Sequence, residues 1–340
     1  MHRPVLVEPM PQIELSVALT VNPRTEPILR GEVAPEGITF IASPLFPSEI
    51  FWRQLKFGDF DVSEMSLASL LIATSHGPTD WVALPVFTSR RFYHTEVLVR
   101  ADAGIREPRD LRGRRVGVPE YQQTAAVWAR GVLQHAFGVE PQSIDWYMER
   151  TVERSHGGAT GFTPPPSVRL TYLRPETDIA TALLAGELDA TLRYYNKPNM
   201  VDRALANLDG RAEIAPLFAD PATEGRRYYA ETGVYPINHC VVVRRTMLER
   251  HRWIALNVYK AFVAAKDRVA AHGDAFLAPY REVGAIDPTT ARELAIDPMP
   301  YGIRSSRLVL ETIARYLTEQ GLTARTVALD EIFAQSTLDL

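Results

Sequence analysis

The segment "DLRGRRVGVPEYQQTAAVWARGVLQHAFG" (residues 110–138) constrains the fold of this 340-residue chain more than any other. It reads as a short loop, a buried strand at residues 115–118, the tight turn "PEYQQT", and an amphipathic helix. Ala125, Trp128, Ala129, Val132, Leu133, Ala136 and Phe137 recur at helical spacing on one face, and Gly138 supplies the stop. At such a turn the first N–H groups of the helix lack partners and carry partial positive charge, which favours a small anion. Taken alone, the pattern is that of any strand–turn–helix unit.

Units of this kind recur. Residues 13–21 alternate apolar and polar side chains before the proline-braced turn "NPRTEP", and "GITFIASP" reads as a second strand. "PSEIFWRQLKFGDF" predicts a helix with Pro47 in its first turn and Ile50, Phe51 and Leu55 on one face. "SEMSLASLLIATSHG" reads as the next helix, and "WVALPVF" as a buried strand feeding "TSRRFYH". In the C-terminal third, Ile254, Val258, Ala261, Phe262, Ala265 and Val269 form a stripe expected to end at Gly273. Val309, Ile313, Tyr316 and Leu317 form another, with Ser305 or Ser306 as N-cap and Gly321 as stop. The alternation predicts an α/β fold of mostly parallel sheets, with ligands gathering at strand carboxyl ends and helix N-termini. The length favours two domains. The stretch "ERSHGGATGFTPPPS" (153–167) reads as a mobile cover or an insertion.

Composition narrows the function classes. A net charge of −4 shows no basic excess, which argues against nucleic acid as a partner. The single Cys240 excludes an intramolecular disulfide and a cysteine-built zinc site. No apolar run approaches the roughly 20 residues of a membrane helix. The opening "MHRPVLVEPMPQIELSV" has neither an uninterrupted apolar core nor a small-residue cleavage site, so a soluble, cytoplasmic protein is expected.

No Gly-rich phosphate loop, H-E-x-x-H, G-x-S-x-G or dinucleotide fingerprint is present. The informative residues are Arg and His just after predicted strands. Arg24, Arg90, Arg91 and Arg193 occupy such places, and a dicarboxylate ligand needs more than one guanidinium fork. On position alone each reads as a solvated surface arginine. His135, His251 and His272 read as surface residues, His76 and His156 as loop residues, and His2 belongs to the terminus. His94 and His239 sit beside strands. With Glu64 or Asp61 they would make a His-and-carboxylate metal set, but no local spacing supports one and no metal is expected.

The segment "DLRGRRVGV" opening a helix resembles the periplasmic-binding-protein-like superfamily, where this turn faces a cleft. Five further segments resemble the 4,5-dihydroxyphthalate decarboxylase family within it: "EGITF" (36–40), "GDFDVSEMSLASLL" (58–71), "LPVFTSRRFYHTEVLV" (84–99), "TGVYPINHCVVVRR" (232–245) and "ARYLTEQGL" (314–322). Two places depart from that pattern. Tyr93 stands where it has a basic residue, and "LTVNPRTEP" follows its first strand and turn only loosely.

The resemblance implies a two-lobed periplasmic-binding-protein-like (type II) fold with a central ligand cleft. Lobe one would comprise residues 1–100 and 236–340, and lobe two residues 101–235, joined by crossings near 99–104 and 230–238. It implies non-oxidative decarboxylation of a hydroxylated aromatic dicarboxylic acid, 4,5-dihydroxyphthalate above all, without an organic cofactor. The partner is then a small aromatic carboxylate rather than nucleic acid or membrane, and a homo-oligomer is compatible with it. Under the same resemblance His94 or His239 supplies the proton, favoured by the blocks "SRRFYH" and "PINH", and Glu64 or Ser63 serves the hydroxyls. Arg24 and Arg90 hold a carboxylate, while Tyr121, Gln123 and Thr124 hold the other end of the ligand. Two readings compete. A solute-binding protein for a small carboxylate or aromatic ligand would need export. The thiamine-pyrimidine synthase branch carries a cysteine-rich motif that one cysteine does not match.

Overall fold

Two mixed β-sheets, each with helices packed on it, form the computed structural model, which describes residues 12–340. Residues 1–11, including His2 and most of the stretch read for a leader, lie outside the described residues. The first sheet contains β1 (Ile13–Leu19), β2 (Ile38–Pro44), β3 (Val62–Ser66), β4 (Trp81–Arg90) and β11 (Ile237–Arg244), in the order β2-β1-β3-β11-β4. The second contains β5 (Leu98–Arg100), β6 (Arg115–Val118), β7 (Asp145–Met148), β8 (Arg169–Tyr172), β9 (Ala190–Thr191) and β10 (Ile214–Pro216), in the order β10-β5-β9-β6-β7-β8. Both have a parallel core. The departures from the parallel expectation are β11, antiparallel to β3 and β4, and β5, antiparallel to β9 and β10. The chain passes between the sheets at residues 91–97 and 217–236. No described helix is long and apolar enough to cross a membrane.

Helices α1 (Glu26–Leu29), α2 (Pro47–Phe57) and α3 (Leu67–Ser75) follow β1, β2 and β3. Pro47 opens α2 as its fixed φ allows, and Gly58 closes it in the left-handed region at φ +64°. After β6 comes α4 (Thr124–Phe137), the helix legible in the sequence, ended by Gly138 at φ +67°. Helix α6 (Ile179–Leu184) packs on β6 and β9, whereas α5 (Gly157–Thr160) lies against α2 and α3, and α7 (Pro221–Thr232) against the 3₁₀ turn at residues 93–96. The C-terminal part adds α8 (Arg245–Arg250), α9 (Ile254–Glu282), α10 (Pro288–Leu294) and α11 (Ile303–Glu319).

Four local expectations change. The run 62–66 is the strand β3 rather than the first turn of a helix, and α3 starts without an intervening turn. Helix α9 continues through Gly273 to Glu282, because an exposed glycine costs a helix only about 1 kcal/mol. Helix α11 starts after Gly302, so neither Ser305 nor Ser306 caps it, and the Ser306 hydroxyl instead accepts a bond from Arg90. The stretch 153–167 is no loose cover over its whole length, since it contains α5 and buries His156 and Thr160.

One contact fixes α4 against the C-terminal helices. Gly131 lies under the Tyr316 ring, where an added Cβ would come within 2.1 Å of a ring carbon. The Trp128 indole donates to the Ile237 carbonyl at 2.8 Å, tying the same helix to the start of β11. The N-terminus of α4 is thereby held at a set distance from the first sheet.

Candidate active site

Between the carboxyl ends of the two sheets lies a cavity of about 280 Å³, near the lower end of the roughly 300–1,000 Å³ that small-molecule sites occupy. The first sheet contributes the residues after β1, the start of α2, the ends of β3 and β4, and the beginning of β11. The second contributes the start of α4 and the segments following β7 and β9. This is where a parallel α/β sheet places its ligand.

At the cavity wall a histidine and a carboxylate meet. Strand β3 is buried throughout, and its alternation puts Val62, Glu64 and Ser66 on one face, Ser63 and Met65 on the other. His239 pairs with Ser66 across the β11–β3 ladder, so Glu64 is its diagonal neighbour. Glu64 Oε2 lies 3.0 Å from His239 Nδ1, and Oε1 accepts the Thr20 N–H at 2.8 Å. A carboxylate only accepts, so Nδ1 carries the proton and Nε2 is the acceptor of the neutral ring. The Asn238 amide nitrogen donates to that Nε2 at 2.8 Å. Phe51 meets the imidazole edge-on with centroids 4.7 Å apart.

Around this pair the cavity is cationic. Arg24 donates to the Thr88 carbonyl at 3.2 Å; Arg90 donates to the Pro300 carbonyl and the Ser306 hydroxyl, both at 2.8 Å. Neither pairs with a carboxylate among the described residues. Burial lowers the Arg90 guanidinium to about 10, which leaves it charged at neutral pH. Helices α2, α3 and α4 all begin at this cavity, through Pro47 and Ser48, Ser66, and Gln123 and Thr124, and in none does the N-cap residue's own side chain bond the first N–H groups. Three helix N-termini add positive potential and free donors. Thr124 also bridges the sheets, its hydroxyl 2.9 Å from both the Ser66 hydroxyl and the Ala68 N–H.

Buried polar atoms without a partner concentrate here. Of fifteen among the described residues, seven belong to cavity-lining side chains. Arg24 Nε, Arg90 Nε, Arg193 Nε and Gln123 Nε2 can only donate, and the Thr20 and Thr88 hydroxyls can do either. The seventh, Asn238 Oδ1, can only accept. Protein groups left unpaired in this way are completed by a ligand that offers mainly acceptors, as an anion does.

The structure also brings in Arg150, which the sequence reading did not name, and His156 and Arg193, which it read as loop and surface residues. Arg150 follows β7 and is buried between Glu120 and Asp202, at 2.7 Å from each. Burial opposes its charge, but Asp202 and Glu120 outweigh that and hold it above the usual arginine range. His156 sits beside this cluster, its Nε2 3.3 Å from Arg150, and burial holds it neutral. Ser48 at the start of α2 donates to Asp202, so the cluster spans both lobes of the cleft. Arg193 follows β9, pairs with Glu96, and stacks over the Tyr93 and Tyr195 rings at 5.6 and 5.0 Å. The rule that selected Arg24 and Arg90, a guanidinium just past a strand, would also have found Arg150.

Of the sequence-named candidates, Glu64, His239, Arg24, Arg90, Gln123 and Thr124 line the cavity. Three do not. Ser63 points from the opposite face of β3. Tyr121 is fully buried beneath α4, its ring 3.8 Å from the Arg130 guanidinium and edge-on to Trp146. His94 faces α7, where its Nε2 meets Glu224 at 3.1 Å among Phe92, Phe218 and Tyr228. Burial pulls His94 down to about 4 despite Glu224, so it is neutral near pH 7. His94 and His239 therefore do not share a site, and the two-histidine metal set is not assembled. Among the described residues no group of three or more His, Cys, Asp or Glu side chains is arranged to hold a metal ion.

No family model matches the chain. The alkanesulfonate-binding protein SsuA from Xanthomonas axonopodis pv. citri bound to MOPS superposes with a TM-score of 0.53 at 15% identity, over 95% of this chain and 98% of that one. The periplasmic aliphatic sulphonate binding protein SsuA from Escherichia coli gives 0.53 at 14%, over 96% and 99%. These likenesses establish the two-lobed periplasmic-binding-protein fold. A 4,5-dihydroxyphthalate decarboxylase from Pseudomonas putida is 37% identical over 221 residues, 65% of this chain and 83% of that protein. One from Comamonas testosteroni is 30% identical over 333 residues, 97% of this chain and 99% of that protein. With a match running through nearly the whole of both sequences, the chain belongs to the 4,5-dihydroxyphthalate decarboxylase family.

Proposed function

We propose that the protein removes CO₂ from a hydroxylated aromatic dicarboxylic acid, foremost 4,5-dihydroxyphthalate, leaving 3,4-dihydroxybenzoate. The observation that carries this reading is the Glu64–His239 pair at the wall of a cavity with two guanidiniums unpaired by carboxylates. Direct loss of CO₂ would strand an electron pair in the plane of the ring, outside the π system. The para hydroxyl offers another route, because it pushes electron density onto the carbon that bears the carboxylate. His239, protonated on Nε2, gives its proton to that carbon, which becomes tetrahedral. The carbon–carboxylate bond then breaks, its electron pair restores the aromatic ring, and CO₂ departs. His239 regains a proton from solvent, so each turnover takes up one proton.

Glu64 keeps Nδ1 occupied, orients the ring, and balances the charge of the imidazolium. Arg24 and Arg90 hold carboxylate oxygens, and Gln123 and Thr124 with the start of α4 take the opposite end of the ligand. His94, Ser63 and Tyr121 have no part in this arrangement. The reading calls for no organic cofactor, and a cytoplasmic location goes with it, to be checked by cell fractionation. A solute-binding role fits the fold but gives the buried His–Glu pair nothing to do. The deciding experiment incubates purified protein with a panel of hydroxylated phthalates and benzoates, following CO₂ release and product spectra. Tight binding without CO₂ release from any of them would refute decarboxylation in favour of binding.

A further inference from the structure

Asn238 sits in β11 one residue before His239, where strand alternation would aim its side chain at the opposite face. A bulge changes that. Ile237 pairs with Arg90 and His239 with Ser89, so two steps along β11 match one along β4 and Asn238 is the extra residue. Bulges of this kind re-aim a side chain, and Asn238 joins His239 at the cavity.

Glu64 decides which way the amide faces. Because Glu64 takes the Nδ1 proton, Nε2 of the neutral ring needs a donor, and the Asn238 nitrogen is the part of the amide that can supply one. The carbonyl oxygen is then turned away from the ring. It is buried and, among the described residues, unpartnered, and it is the sole acceptor-only atom among their unpaired buried groups lining this cavity.

We propose that Asn238 Oδ1 accepts the hydrogen bond of a phenolic hydroxyl on the substrate, making Asn238 the residue that selects hydroxylated over hydroxyl-free aromatic dicarboxylates. This deepens the decarboxylase reading and rests on it for the identity of the ligand. Two consequences follow. A ligand lacking the hydroxyl leaves a buried acceptor unsatisfied and is disfavoured. A ligand bearing it also locks the amide. With Oδ1 engaged, the amide cannot turn to accept a proton-bearing Nε2, so a protonated His239 keeps its N–H free for the ring carbon. Asn238 is thus a specificity-determining residue that also positions His239.

The test is a binding comparison that needs no turnover. Dissociation constants for 4,5-dihydroxyphthalate and for phthalate are measured by stopped-flow quenching of tryptophan fluorescence, read before the first turnover, on the parent protein and on Asn238→Leu, with Asn238→Ala as a second variant of smaller bulk. The parent should prefer the hydroxylated ligand by about 10- to 100-fold. In both variants the preference should shrink to within about 3-fold, chiefly by weaker binding of the hydroxylated ligand, while retained phthalate binding shows the cleft intact. An undiminished preference in a variant that still binds phthalate overturns the inference, as does a parent protein without any preference. Failure of the decarboxylase reading looks different: the parent would release no CO₂, yet the variants would still lose the preference.

Discussion

Replacing His94 by Gln separates a buried structural histidine from a catalytic one. The His94 side chain is fully buried, and burial lowers its imidazole from the ordinary 6.5 to about 4. At about 1.4 kcal/mol per pH unit, that corresponds to about 3 kcal/mol of stability. The sign follows from proton counting. Between pH 6.5 and 4 the unfolded chain binds a proton at this position and the folded chain does not, so stability is full above 6.5 and falls on acidification. Glu149 works in the opposite sense, since burial raises its carboxyl to about 7 and its contribution declines as pH rises from about 4.5 to 7. Comparing variant with parent at each pH cancels that background. Gln keeps a donor for Glu224 but does not titrate here. Urea unfolding followed by tryptophan fluorescence from pH 7.5 to 4.5 should show the parent losing most of the 3 kcal/mol relative to His94→Gln. Parallel stability curves would refute the buried, neutral assignment. A fall in kcat of a hundredfold or more in the variant, at unchanged stability, would refute the placement of His94 away from the chemistry.

His239→Ala and Glu64→Gln should lower kcat and kcat/KM together by about 10²- to 10⁴-fold, the mark of a proton transfer made in the transition state; melting curves should show both variants folded. Arg24→Ala should raise KM by about 10- to 100-fold as a charge-assisted carboxylate contact is lost, and an unchanged KM would remove Arg24 from the clamp. Dialysed, chelator-treated protein should keep most of its decarboxylase activity; a loss restored only by a divalent metal would overturn the cofactor-free reading. Gly131→Ala should destabilise by about 1–3 kcal/mol, read as a lower Tm, because the Tyr316 ring must move to admit a methyl group.

The parts of the fold legible in the sequence are those where pattern and packing agree. Strand β6 and helix α4 carry period-2 and period-3.6 signals with a glycine stop, and the structure places them within a residue of the reading. Strand β3 was illegible for the opposite reason. Its five residues include Ser63, Glu64 and Ser66, buried polar groups that no strand pattern predicts, and it abuts α3 with no turn residue between. Glu64 and Ser66 face the cavity, so the local rule is broken at the candidate site. The antiparallel insertion of β11 between β3 and β4 was equally hidden, since it depends on pairing across 147 to 181 residues, from Ile237 with Arg90 to Val243 with Val62.

That insertion explains why the site was readable as a set of names and not as a geometry. Family blocks marked both His94 and His239, and each adjoins a strand. What separates them is orientation. Tyr93 and His94 share one 3₁₀ turn of three residues per turn, so neighbouring side chains point about 120° apart. Tyr93 takes the cavity side under Arg193, and His94 is left to pin α7 through Glu224. His239 gains its proposed role from the opposite circumstance, a ladder that puts Glu64 diagonally behind it and a bulge that swings Asn238 beside it. Neither relation has a local sequence signal. His156 was obscured in the same way, because it reads as a loop residue until Glu120, Asp202 and Ser48 gather with Arg150 from three other segments. Charges so deeply buried are stable only when every partner is in place. The polar groups left unpaired among the described residues, Asn238 Oδ1 and the Arg24 and Arg193 Nε atoms among them, are therefore the part of this cleft whose satisfaction, on the proposed reading, falls to the substrate.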